Sequence, residues 1–273
     1  MNRRGGDGGL AALPMYDRPE IRAETDELWS AIRDRLREAG IDAPEALERR
    51  RAPRLVWSAP EMVVSQTCGL PYVSALAGRV GLLGAPSYAL PGCPPGHYRS
   101  ALVVPAASDA AGLSDLRGAR AAVNARDSQS GYGALMVALA PHALDGRFLS
   151  DWVPTGSHAA SMAAVAEGRA GIAAIDAVTW TLAERHEPGL TGRLRAIGWT
   201  EPTPGLPFIT GRRRQADAIA AAVRAAIAGL DSNVAAALLI EGFQRFRPED
   251  YAPIRTRLAA AQGVHALPTP PPA

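Results

Sequence analysis

Hydroxyls, one imidazole and one carboxylate recur in this chain just after short apolar runs. The segment Asn124-Ala125-Arg126-Asp127-Ser128-Gln129-Ser130-Gly131-Tyr132-Gly133 follows Ala121-Ala122-Val123 and leads into Ala134-Leu135-Met136-Val137-Ala138-Leu139. That order reads as strand, turn and helix. The first N–H groups of a helix lack intrahelical acceptors and carry about half a positive charge. Ser128, Ser130 and Gly131 are small enough to let a ligand reach the backbone, and the two serines add hydroxyls. Such a turn suits an oxyanion. It suits a plain serine N-cap equally well. Ser157-His158, Asp176 and Tyr16-Asp17 stand after other apolar runs. In open α/β sheets the carboxyl ends of strands are where ligands bind, so several polar turns of this kind predict one site.

Two enzymatic chemistries use the same residue types. Ser130, His158 and Asp176 supply a hydroxyl, an imidazole and a carboxylate, as a serine hydrolase does. The elbow Gly-x-Ser-x-Gly is missing because position 128 is Ser, and the α/β-hydrolase order places His last. Cys68 is a candidate nucleophile with His158 as its base, or a small buried residue. A Cys68–Cys93 disulfide is a further alternative, against which the lack of an export signal argues. No Cys-x-x-Cys or Cys/His cluster occurs, and His97, His142, His186 and His265 have no ligand spacing. Neither a metal nor a cofactor is expected.

Composition narrows the class. The chain has 273 residues, 47% of them hydrophobic and 21% charged, which makes disorder of the bulk unexpected. A net charge of +2 gives no broad basic field for nucleic acid. No stretch reaches the apolar length of a membrane span, and Leu10–Leu13 is too short for a signal-peptide core. A cytoplasmic location is the expectation for the chain as written, and a periplasmic one if an export signal lies upstream.

Strands are expected at Leu10–Tyr16, Leu55–Trp57, Val80–Leu83, Ser100–Val104, Ala121–Val123, near Val153, at Ala170–Ile175 and at Leu194–Trp199. Apolar residues at helical spacing predict helices from Ile21 to Gly40, after Ser157, from Val178, and over Ala216–Leu230, Ala235–Phe246 and Pro253–Ala261. Glu61–Val64 reads as a short helix. The basic run Arg49-Arg50-Arg51 reads as a solvated face.

Asp127-Ser128-Gln129-Ser130-Gly131-Tyr132, Gly156-Ser157-His158, Ala164-Val165-Ala166-Glu167-Gly168 and Ala173-Ala174-Ile175-Asp176 together resemble the phosphate/phosphite/phosphonate substrate-binding proteins of ABC transporters. The resemblance runs from about Leu10 to Thr210. It implies the α/β, two-lobed type 2 periplasmic-binding-protein fold, with a small oxyanionic ligand held in a cleft between lobes. It assigns oxyanion contacts to Ser128, Gln129, Ser130, Gly131, Ser157 and His158. Asp176 is implied for a cationic part of the ligand, and Tyr72 and Tyr16 for the cleft wall. Gln129 departs from the family's usual Thr, and Cys68 is unexpected in its loop. An ABC permease is the implied partner and a monomer the expected state. An enzyme using the same cleft, a hydrolase or a cofactor-biosynthesis relative, or a ligand-sensing module are the alternatives. The expected division is 10–103 with 207–265 as one lobe and 104–206 as the other, with tails at 1–9 and 266–273.

Overall fold

The computed structural model describes residues 9–262; of the expected tails only Gly9 lies within that range. Among the described residues two compact units form, one from 9–97 with Pro204–Asp250, the other from Tyr98–Thr203 with 251–262. The sequence division put the crossings at 103/104 and 206/207 and kept everything after 207 in the first lobe. The last helix instead carries Tyr251, Ile254, Leu258 and Ala261 as a buried stripe, and these residues belong to the second unit.

The strands longer than two residues are β1 (Leu10–Ala12), β2 (Met62–Gln66), β3 (Gly81–Tyr88), β4 (Ser100–Pro105), β5 (Arg120–Val123), β6 (Asp151–Pro154), β7 (Ile172–Asp176), β8 (Leu194–Trp199), β9 (Phe208–Thr210) and β10 (Ile240–Gln244). The principal helices are α1 (Arg22–Glu38), α2 (Ala134–Leu139), α3 (His158–Ala166), α4 (Ala177–His186), α5 (Ala216–Ala228) and α6 (Pro248–Gln262).

In the first unit the strand order is β1-β2-β9-β3-β10. β1 and β2 are parallel, and β9 runs antiparallel to both β2 and β3. Three elements here differ from expectation. Leu55–Trp57 lies in a helix, Pro53–Trp57, whose first residue is the proline; proline presets φ for that position, and the turn buries Val56 and Trp57 while Leu55 stays 63% exposed. Met62–Gln66 is a strand, buried at every position including Ser65 and Gln66, so its side chains do not alternate between a covered and an open face. Within Ala235–Phe246 a short helix, Ser232–Ala237, ends where Leu239 turns to φ 59, and β10 pairs with β3.

In the second unit the order is β6-β5-β7-β4-β8. β5 is parallel to β6 and β7, whereas β4 is antiparallel to β7 and β8. The parallel strands therefore deliver Val123, Pro154 and Asp176 to one edge, and Ser100, opposite Asp176, begins β4 there. The small side chains of Ala101, Ala122 and Ala173 let α3 bury Met162 and Val165 against the sheet. Burying such side chains contributes about 1.5–3 kcal/mol each. This packing fixes the start of α3 over the strand ends.

Candidate functional site

The turn after β5 starts a helix with a single π turn. Gly133 N–H donates to the Ser128 carbonyl at 2.9 Å, five residues back, before α2 continues regularly. Ser128 is the N-cap: its Oγ accepts from Gly131 N–H at 3.0 Å. A local ligand thus satisfies one early amide, while the neighbouring first-turn amide of Ser130 has no helical acceptor upstream of it. Ser128 and Ser130 are both buried, and their Oγ atoms are 3.4 Å apart.

Gly131 is required by space and not by backbone conformation. A Cβ at this position would stand 1.9 Å from Asn124 Oδ1. The Asn124 side chain at the end of β5 is wedged on the turn, with Oδ1 buried and without a hydrogen bond. Asn124 also ties the next turn, since its carbonyl accepts from Gly156 N–H at 2.9 Å. Gly156 adopts φ 84, a conformation glycine reaches at no steric cost.

That second turn leads to Ser157, whose Oγ caps α3 by accepting from Ala160 N–H at 3.1 Å. The first residue of α3 is His158, and its Nε2 lies 2.8 Å from Ser130 Oγ. Two helix starts thus meet through one hydroxyl–imidazole hydrogen bond. Burial holds His158 down at about 4, against a weaker upward pull from the Ala174 backbone, because an apolar surrounding disfavours the imidazolium. The ring is neutral near pH 7.

Asp176 is 1% exposed, and its Oδ1 accepts from Val178 N–H at 2.9 Å and Thr179 N–H at 3.2 Å. It caps α4. His158 Nδ1 is buried and makes no regular hydrogen bond, so a Ser-His-Asp relay is not assembled. Ser100, which sequence reasoning missed, donates its hydroxyl to the Ser130 carbonyl at 2.9 Å. Ser100 and Asn124 share with Asp176 the signal that could have found them: a polar residue at the terminus of an apolar strand.

Gln129 stands in the turn, but its side chain packs on Gly133, where an added Cβ would meet Oε1 at 2.6 Å. It also lines a separate cavity with Ser100 and Trp199. Tyr16 and Tyr72 belong to the first unit. Tyr72 is 1% exposed there, its phenol pushed up by burial and then by the charge of Glu249. Tyr16 stacks edge-on against Tyr88 at 5.4 Å, and Gln66 Nε2 donates to Tyr88 Oη at 3.3 Å. Cys68 is buried in that unit too, whereas His158 is in the second. Among the described residues no group of three His, Cys, Asp or Glu side chains is placed to hold a metal, and no helix is long and apolar enough to cross a membrane.

No curated protein sequence matches the chain. Among solved structures, the binding-protein component of an ABC phosphonate transporter from Pseudomonas aeruginosa, PA3383, is 17% identical with a TM-score of 0.72, covering 94% of this chain and 89% of that one. PhnD1 from Prochlorococcus marinus in complex with methylphosphonate is 14% identical with a TM-score of 0.70, covering 93% and 98%. The periplasmic aliphatic sulphonate binding protein SsuA from Escherichia coli is 16% identical with a TM-score of 0.60, covering 97% and 90%. These likenesses establish the type of α/β fold. The family model described as ABC transporter, phosphonate, periplasmic substrate-binding protein matches residues 64–251, more than half of the chain, and the protein belongs to that family.

Proposed function

We propose that the chain captures a small phosphonate-class oxyanion without transforming it, and presents it in the periplasm to an ABC permease, acting as a monomer. The observation that carries this reading is the Ser128–Ser130–His158 cluster at two helix starts. Two hydroxyls, first-turn amides and a neutral imidazole supply hydrogen bonds to an anion without placing a full counter-charge beside it. Helix starts attract anions for the same electrostatic reason. Family membership supports a solute-binding role, and the relatives' methylphosphonate and sulphonate ligands support a tetrahedral oxyanion here.

Asp176 fits a cationic substituent less directly than the sequence suggested, because one of its oxygens already serves α4. We still assign the Asp176 carboxylate to an aminoalkyl substituent. Gln129 offers its backbone, and Ser157 and Gly131 shape the turns. Tyr16 and Tyr72 are proposed as ligand contacts.

Isothermal titration with phosphate, phosphite, methylphosphonate, 2-aminoethylphosphonate and ethanesulfonate tests the class. One-to-one binding of a phosphonate, with the ligand returned unchanged by phosphorus NMR, is the expected result. Turnover would favour an enzyme, and binding of ethanesulfonate alone would move the ligand class to sulfonates.

A further inference from the structure

A cavity of about 360 Å³ lies wholly within the second unit between α2, the end of β8 and α6. Of the polar residues around the oxyanion turn, only Gln129 and Ser100 reach it. We propose that it binds a small aromatic monocarboxylate, independently of the oxyanion site. Its volume is in the range that small-molecule sites occupy. Val137, Ala138 and Ile254 give it an apolar wall, too extended for an inorganic anion to fill.

Trp199 lines this cavity and is 40% exposed, although a large aromatic ring is ordinarily covered. The Arg99 guanidinium sits 4.5 Å from the centre of that ring, and this cation–π contact fixes a positive charge at the wall. Arg257 brings a second guanidinium from α6, and Glu201 a single carboxylate. Neither arginine makes an ion pair with a carboxylate among the described residues. The balance at the cavity is therefore one uncompensated positive charge, which suits a monoanion. A guanidinium recognises a carboxylate through two parallel hydrogen bonds, and the partly exposed indole of Trp199 offers apolar contact for an aromatic ring.

The probe is 2-naphthoate, titrated into the full chain by calorimetry and by tryptophan fluorescence. Saturable one-to-one binding is expected, with a fluorescence change that Trp199→Phe largely removes. The double variant Arg99→Gln/Arg257→Gln should weaken binding tenfold or more. Ala138→Phe fills the cavity and should abolish naphthoate binding while methylphosphonate binding stays as in the wild type; if that variant fails to fold, the double arginine variant decides. Ser130→Ala should leave naphthoate binding intact, which separates this proposal from the oxyanion reading. Absence of naphthoate binding, its survival in folded Ala138→Phe and the double arginine variant, or its full displacement by methylphosphonate would overturn the proposal.

Discussion

Ser130 Oγ and His158 Nε2 stand 2.8 Å apart although 28 residues separate them in sequence. The bond joins the first turns of two helices that follow adjacent parallel strands. Val123 and Asn124 carbonyls accept from Thr155 and Gly156 N–H groups at 3.0 and 2.9 Å, so the two turns are held together before any ligand arrives. A preorganised donor set avoids much of the ordering cost of binding.

His158 makes the site sensitive to acid. Its folded value of about 4 lies below the ordinary 6.5, so the unfolded chain binds the extra proton first as pH falls. Stability attributable to this residue is complete above about 6.5, declines between 6.5 and 4, and changes no further below 4; its size is on the order of 3 kcal/mol. Urea unfolding across pH 4–7.5 should show this slope, and His158→Gln should flatten it. An anion bound beside the ring favours the imidazolium, so the NMR titration of His158 should move upward with methylphosphonate.

Gly131→Ala should damage the turn without touching the core. The new Cβ would stand 1.9 Å from Asn124 Oδ1, so Asn124 must swing away or the turn must open. We expect destabilisation of about 1–3 kcal/mol, measured by denaturant midpoint, and weaker phosphonate binding. Adding Asn124→Gly should restore part of the stability, because it removes the obstructing side chain.

Asp176→Ala should destabilise the second unit by about 1–2 kcal/mol through loss of the α4 cap. Asp176→Asn keeps an acceptor for Val178 and Thr179 N–H groups and should recover most of that. If Asp176 also meets an ammonium group, the Asn variant should lose affinity for 2-aminoethylphosphonate and retain it for methylphosphonate. Equal effects on both ligands would confine Asp176 to capping.

Much of the second unit was legible because its strands and turns carry local signals. β5, β7 and the serine caps at 128 and 157 follow from apolar runs and capping chemistry. The first unit was less legible where local pattern conflicts with tertiary context. Leu55-Val56-Trp57 looks like a strand until Pro53 is read as a helix start, and Met62–Gln66 shows no alternation because both of its faces are covered. At the candidate site, residue types pointed to Ser130, His158 and Asp176 but not to the groups they bond. That Ser100 holds the Ser130 carbonyl depends on how β4 is placed in the sheet, which no local spacing encodes, whereas the Asp176 cap of α4 and the turn of Gln129 toward Gly133 are local contacts among several that the same residues could make.

The central claim is that Ser130 belongs to an oxyanion-binding cluster. Calorimetric titration of methylphosphonate into the wild type and Ser130→Ala, at pH 7 and matched ionic strength, tests it most directly. Loss of one hydrogen bond to a charged ligand predicts affinity lowered about 10- to 100-fold, while the unliganded variant is destabilised by about 1–3 kcal/mol because His158 Nε2 loses its buried partner, so the titration is run well below its unfolding temperature. Tight binding that is unaltered in Ser130→Ala would contradict the account.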